Sequence, residues 1–380
     1  MQFFDDSLLP ENQEKLVIQV APYGPEFLPE DSDDIPVSMD EQVQKAVDCY
    51  NAGATVLHIH VREADGRGSK RLSMFNELLA RLRTAVPDML LQVGGSISFA
   101  PEGEGGAAEW LALDARHMLA DLDPKPDQVT IVIDTSQFGF AETFTESDVE
   151  GTSLARPEYA KAYKEMYWEA GPDFYVEHLK RLQAQQIQPH FMIGHVAQLG
   201  TLERIIRAGQ YKGPLALNYL AFAGGLSFTH PSELMEFVAR VPDRAVLTVE
   251  GLMRNNLPMG AMAIAMGLHV RCGIEDNLWG RKGERATSVQ QVEKMVALAR
   301  SLYRDVASGK EAKQIYQIGT QYRTVDETLL KLGMAPNRSP GQKGVPVRGV
   351  GMGAGVRAGA GAGVGVGVDT SVDVGVGVGV

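Results

Sequence analysis

Hydrophobic residues along this chain come in short, nearly unbroken runs separated by longer stretches of mixed polarity. Eight runs, at residues 16–22, 55–61, 89–94, 128–134, 189–195, 214–222, 245–251 and 269–274, have the length of strands and the continuous apolar character of strands buried on both faces. Between them, apolar residues recur at helical spacing, most clearly over residues 71–86 and 289–303. Ser38-Met39-Asp40-Glu41 is a capping-box sequence that opens another helix, and Asn51-Ala52-Gly53 closes it. Strand and helix alternating in this way predict a TIM-type (β/α)8 barrel. A doubly wound open sheet shares the alternation, but no G-x-G-x-x-G follows the first run, which counts against a dinucleotide-binding version of it.

Two segments depart from a minimal barrel. Residues 138–172, rich in Glu, Tyr and Trp, form a long connection after the fourth run, and such connections serve as lids or as oligomer contacts. The catalytic unit is expected to span residues 1–335, followed by a linker and low-complexity tail over 336–380. From Arg348 onward the chain is Gly-Ala-Val repeat, which offers too little side-chain surface to offset the entropy of ordering. A disordered tail without catalytic role is the expectation.

Composition narrows the partners. The chain has 380 residues, 44% hydrophobic and 22% charged, as an ordinary globular protein has. A formal net charge of -12 argues against nucleic acid and against an anionic membrane surface, while leaving room for an anionic small molecule met by local arginines. Two cysteines, Cys49 and Cys272, are too few for a disulfide framework. No basic-then-apolar leader opens the sequence and no apolar run is long enough to span a bilayer, so a cytoplasmic location is expected.

The chemistry concentrates at two strand ends. His58-Ile59-His60 puts two imidazoles on one face of a strand, since side chains at i and i+2 share a face. They are either two satisfied strand histidines or two ligands of one metal ion. The last run leads into Arg271-Cys272-Gly273-Ile274-Glu275-Asp276-Asn277. Barrel closure sets the eighth strand beside the first and near the second, so Glu275 can complete a His58/His60/Glu275 site with an open position, a donor set that serves zinc and non-haem iron. If the backbone stays extended, Asp276 points away from Glu275 and is free to act as a general base. Glycines at the strand ends, Gly24, Gly94-Gly95 before Ser96, and Gly224-Gly225, are either plain turns or an anion-binding floor of backbone N–H groups.

Three motifs together, A-x-x-G-x-E at 21–26, H-I-H-V-R-E-x-D-G-R at 58–67 and R-C-G-I-E-D-N at 271–277, resemble those of the β-keto acid cleavage enzymes over residues 16–304. The resemblance implies a β/α barrel carrying a divalent metal, usually Zn²⁺, and commonly a homotetramer. It implies an acyltransferase that condenses a β-keto acid with acetyl-CoA to give acetoacetate and a new acyl-CoA. The family's metal ligands fall on His58, His60 and Glu275, its catalytic acid on Asp276, its arginine on Arg271, and its substrate contacts on Glu26, Thr130 and the Gly94-Gly95-Ser96 loop, where the family has Ser-Thr-Gly-Gly. The lysine-pathway enzyme carries Pro-Glu-x-Glu on its fifth strand. Here the segment is Pro189-His190-Phe191-Met192, so both carboxylates are missing and an aminated substrate is disfavoured. His190 and His195 are either substituted polar contacts or core and rim histidines. Arg254, Arg281 and Lys282 are candidate cations for CoA. The competing readings are a metal-dependent hydrolase or aldolase that needs no CoA, and a non-catalytic regulatory protein that binds metal.

Overall fold

The computed structural model describes residues 1–95, 100–101, 108–109, 112–137, 145–164, 166–221 and 230–344. The eight runs become eight parallel strands: β1 (Ile18–Val20), β2 (Val56–Ile59), β3 (Leu90–Val93), β4 (Gln128–Val132), β5 (Gln188–Ile193), β6 (Ala216–Ala221), β7 (Val246–Gly251) and β8 (His269–Cys272). Each pairs with its sequence neighbours, and β8 closes on β1 through Ile18–Val270, Gln19–Arg271 and Val20–Cys272. The closed (β/α)8 barrel replaces the open-sheet alternative.

The helices form where their end signals stand. Ser38 caps Met39–Ala52 by accepting the Glu41 N–H while the Glu41 carboxylate accepts the Ser38 N–H, and Gly53 ends that helix at φ 119°, in the left-handed region. Leu72–Ala85 and Ser288–Ser301 fill the two amphipathic stretches, and their apolar faces pack on the outward side chains of the strands. No helix among the described residues is long and apolar enough to cross a membrane, and Cys49 and Cys272 are both free and buried.

Inside the barrel, the period-two alternation lays a vertical order on every strand. The inward residues read Val56-His58-His60 on β2 and beyond its end, Leu90-Gln92-Gly94 on β3, Val246-Thr248-Glu250 on β7 and His269-Arg271 on β8. The floor is apolar, built from Val17, Val56, Leu90, Ala216 and Val246 and plugged by Tyr316. Amides, imidazoles and a hydroxyl occupy the middle. The charged groups sit at the C-terminal mouth, where β/α barrels place their chemistry.

Part of the long connection after β4 lies across that mouth. The short helices Glu146–Val149 and Pro157–Lys164 lead to Tyr167–Trp168, which pairs with Ser136–Gln137. Leu154, Tyr159, Tyr163, Met166 and Trp168 pack against Phe27, Met192, Leu220, Met253 and Ile274, all from strand ends or the loops after them. Residues 345–380, where the Gly-Val tail was expected, lie outside the described residues.

Candidate active site

His58 and His60 stand at the end of β2 with their Nε2 atoms 3.2 Å apart. Glu275 brings Oε1 to 3.3 Å from His58 Nε2 and 3.6 Å from His60 Nε2. All three residues are buried, and their donor atoms are close enough to hold one ion. The other Glu275 oxygen, Oε2, is buried without a hydrogen-bond partner. Two nitrogens and a carboxylate converge at distances suited to a shared cation, and an orphaned acceptor remains beside them. This donor set fits a divalent metal.

Two glycines make room for the ligands. A Cβ on Gly94 would lie 2.3 Å from Cε1 and Nε2 of His60, and one on Gly24 would lie 2.1 Å from Cγ of Glu275. Only a residue without a side chain lets the imidazole and the carboxylate occupy those places. The Gly94 N–H donates to the Ile59 carbonyl at 3.0 Å and the Gly95 N–H donates to Thr130 Oγ1, so both groups are engaged within the protein rather than offered to an anion. Ser96 and Gly224-Gly225 lie outside the described residues.

After β8 the backbone does not stay extended. Gly273 takes φ 133°, where a Cβ would meet the Ala21 carbonyl oxygen at 2.3 Å, and the Asp276 and Asn277 N–H groups both donate to the Gly273 carbonyl. This turn brings Glu275 and Asp276 to one cation instead of sending them to opposite sides, which corrects the expectation that Asp276 points away. Arg271 Nη2 donates to Glu275 Oε1 at 2.7 Å and to Asp276 Oδ1 at 2.6 Å, and its Nε reaches Asp276 Oδ2 at 3.0 Å. Glu250, at the end of β7, adds a third carboxylate, with Oε2 3.3 Å from Arg271 Nε and 2.5 Å from its donor Asn218 Nδ2. Glu250 escaped the sequence reading. Its signal was a lone carboxylate in the apolar run Val246-Leu247-Thr248-Val249-Glu250, just before a glycine.

The charges are unequal. Burial works against ionisation of Glu275, but Arg271, bonded to its Oε1, opposes burial and holds its carboxyl well below the usual range. Burial pushes Glu250 well above that range, and burial with the nearby Glu275 charge does the same to Glu26. Burial also raises Asp276, with Arg271 opposing. Burial, reinforced by Arg271, pushes His58 down to about 4, so its ring is neutral at pH 7.

Of the remaining expected residues, Glu26 lies beside the site and the others are dispersed. Glu26 is buried beside Gly24 with Oε2 unpaired. His190 is fully buried in the barrel, its Nδ1 2.6 Å from Gln92 Nε2, and His195 is the half-buried residue preceding the helix Val196–Arg207. Arg254 is engaged with Asp148 through contacts of 2.8 and 3.2 Å, and Arg281 pairs with Glu284 at 3.0 Å on the surface. Lys282 is exposed.

The profile of the beta-keto acid cleavage enzyme family matches residues 15–318. The chain belongs to that family. It is 28% identical over 309 residues to the 3-keto-5-aminohexanoate cleavage enzyme of Acetoanaerobium sticklandii, covering 80% of this chain and 99% of that one. It is 25% identical over 317 residues to the 3,5-dioxohexanoate:acetyl-CoA acetone transferase of Paraburkholderia graminis, covering 80% and 96%. Among solved structures, apo ObcA shares the fold with a TM-score of 0.55 at 13% identity, covering 75% of this chain and 66% of that chain.

Proposed function

We propose that this chain is a metal-dependent β-keto acid cleavage enzyme that transfers an acyl group to CoA and releases acetoacetate. The observation that supports this most is the joining of His58, His60 and Glu275 to the Arg271–Asp276 pair through one guanidinium, at the mouth of the barrel. A divalent ion held by His58, His60 and Glu275 would supply Lewis-acid polarisation of the keto oxygen.

The chain's own residues do the rest. Arg271 keeps the Asp276 carboxylate oriented, and Asp276 accepts the proton leaving the α-carbon of the β-keto acid. That carbon's electron pair forms a bond to the thioester carbonyl of acetyl-CoA. The thiolate passes to the original keto carbon, the bond between that carbon and the α-carbon breaks, the α-carbanion takes back the proton held by Asp276, and the products are acetoacetate and the new acyl-CoA. Proton, thiolate and carbon are all accounted for, and no further reactant is needed. Part of the 138–172 connection excludes water from this step by covering the mouth.

The far end of the substrate meets apolar surface. Met192, inward-facing one step above His190, packs with Tyr159, Tyr163, Trp168 and Leu220. Burying an ammonium there without carboxylate partners is unfavourable by several kcal/mol, and Glu26, with its carboxyl held up by burial, is a poor substitute. A simple neutral 3-oxo acid fits best. The test is a panel of 3-oxopentanoate, 3-oxoadipate and 3-keto-5-aminohexanoate with Zn²⁺-loaded protein, with and without acetyl-CoA, scored for acetoacetate and acyl-CoA. Turnover should require acetyl-CoA and favour 3-oxopentanoate. Acetyl-CoA-independent breakdown would replace the transferase with a hydrolase or aldolase, and a tenfold preference for the aminated acid would overturn the substrate assignment.

A further inference from the structure

Four glutamines run through the middle of the barrel as one directed chain of amides. Gln188 Nε2 donates to the Tyr316 carbonyl oxygen at 2.6 Å. Gln128 Nε2 donates to Gln188 Oε1 at 2.6 Å, and Gln92 Nε2 donates to Gln128 Oε1 at 2.8 Å. At Gln92 the chain reaches the metal site. Its Oε1 takes two hydrogen bonds, from Gln19 Nε2 at 2.8 Å and from His58 Nδ1 at 2.7 Å, while its second N–H goes to His190 Nδ1 at 2.6 Å. Both donor hydrogens and both acceptor sites of the Gln92 carboxamide are therefore used.

The direction of this chain is fixed at its far end. A backbone carbonyl can only accept, so Gln188 must present its NH₂ to Tyr316 and its oxygen to Gln128. Each amide then dictates the next, and Gln92 is left with its oxygen facing His58. A neutral imidazole carries one proton, and acceptors compete for it on both sides of the His58 ring: Gln92 Oε1 on the Nδ1 side, and Glu275 Oε1 at 3.3 Å and His60 Nε2 at 3.2 Å on the Nε2 side. A proton on Nε2 would satisfy the carboxylate and remove the lone pair that a metal needs. We propose that Gln92, oriented by the Gln128–Gln188–Tyr316 relay, is a positioning residue that keeps the His58 proton on Nδ1 and its Nε2 free for the metal. This rests on the metal reading of the His58/His60/Glu275 cluster. Tyr316 lies after the last barrel strand, and its ring plugs the floor with its hydroxyl 2.6 Å from Thr248 Oγ1. The metal ligand's tautomer is thereby tied to a residue at the opposite end of the barrel.

The test uses the full chain. Zn²⁺ affinity is measured by competition against a chelating dye for wild type, Gln92→Met, Gln92→Glu and Gln128→Met, with circular dichroism and melting temperature recorded for each. Gln92→Met should bind Zn²⁺ about 10–100-fold more weakly, the usual effect of losing a partner of a ligating histidine. Gln92→Glu, whose carboxylate still accepts from Nδ1–H, should hold affinity to within about tenfold of wild type. Gln128→Met touches no ligand, yet it should weaken binding in the same direction by freeing the Gln92 amide to flip. In metal-free wild type, the ring nitrogen shifts of ¹⁵N-labelled His58 should place the proton on Nδ1, and in Gln128→Met a fraction should move to Nε2. Wild-type affinity in a folded Gln92→Met overturns the proposal, as does a proton on Nε2 in the metal-free wild type. The nitrogen shifts need no bound metal, so they decide the tautomer even if wild type fails to bind Zn²⁺, a failure that would instead remove the metal reading.

Discussion

Gly94 sets the tolerance of the site at the scale of a single atom. Its missing Cβ is the space in which His60 Cε1 and Nε2 lie, 2.3 Å from where that carbon would be. Non-bonded carbon contacts settle near 3.5–4.0 Å, so Gly94→Ala forces the ring aside by more than an ångström while leaving the β3 hydrogen bonds in place. We expect Gly94→Ala to fold with an unchanged circular dichroism spectrum and to carry far less than one zinc per chain by elemental analysis. Full zinc occupancy in that variant would mean His60 is not a ligand in the place described. The same local crowding marks what the sequence made legible. His58-Ile59-His60 and Glu275-Asp276 stood out because short spacing on a strand, or adjacency at its end, couples position to direction. Glu250 and the four glutamines did not, because each stands in or beside an apolar run with no second chemistry-bearing residue at a spacing that marks a site. Strand pairing sets Gln92, Gln128 and Gln188 side by side in register, and the curvature of the barrel wall brings Gln19 to Gln92 across β2. A polar residue inside a run otherwise buried on both faces was nonetheless a signal, since a buried amide must find partners.

At the scale of elements, the strands and the capped helices could be read almost to their ends, while the covering of the mouth could not. Residues 71–86 became Leu72–Ala85 and residues 289–303 became Ser288–Ser301, because helical spacing and caps are local properties. The first run, read over 16–22, pairs with β8 through Ile18–Val20 and with β2 through Gln19 and Val20, because barrel curvature, not hydrophobicity, decides where a ladder ends. The segment after β4 has a local cap, the Thr145–Asp148 capping box, but no local rule sets where it lies. Its position comes from distant partners: Asp31 accepts the Ser153 N–H at 2.6 Å and also its hydroxyl, and Arg254 pairs with Asp148. Asp31 also accepts the Leu28 N–H at 2.8 Å, so one buried carboxylate ties the loop after β1 to the cover. Asp31→Ala leaves the buried Ser153 donors unpaired, at about 1–3 kcal/mol for each group. The expected result is faster proteolytic cleavage within residues 145–164 and a raised KM, with little change in the melting temperature of the barrel. Unchanged cleavage and an unchanged KM would show that the Asp31 contacts do not hold the cover.

At the scale of the whole molecule, the buried histidines tie stability to pH. His269 lies at the base of β8 with Nδ1 accepting the Val17 N–H at 3.1 Å, an arrangement open only to the neutral ring. His178, in Pro172–Ala184, stacks on Phe174. Burial pushes both down to about 3 from an ordinary 6.5, helped by Arg304 at His269 and by His117 and Arg116 at His178. The sign follows from linkage. Below pH 6.5 the unfolded chain takes up protons that the native chain refuses, so this stability is full above 6.5 and is lost as pH falls towards 3, at up to about 1.4 kcal/mol per pH unit for each histidine. Glu26 and Glu250 act in the opposite sense, because carboxyls raised by burial add stability below their unfolded values and lose it as pH rises. The total slope is therefore a difference, and a single substitution has to isolate one contribution. His269→Asn does so, since the Asn Oδ1 can accept from Val17 in place of Nδ1 without titrating. Between pH 7 and pH 5, urea unfolding of wild type should lose stability more steeply than His269→Asn, with the gap approaching one proton's worth of slope at the acid end. Parallel curves for the two proteins would mean that His269 is charged in the native barrel, and the hydrogen bond that closes β8 onto β1 at its base would then have to be drawn differently.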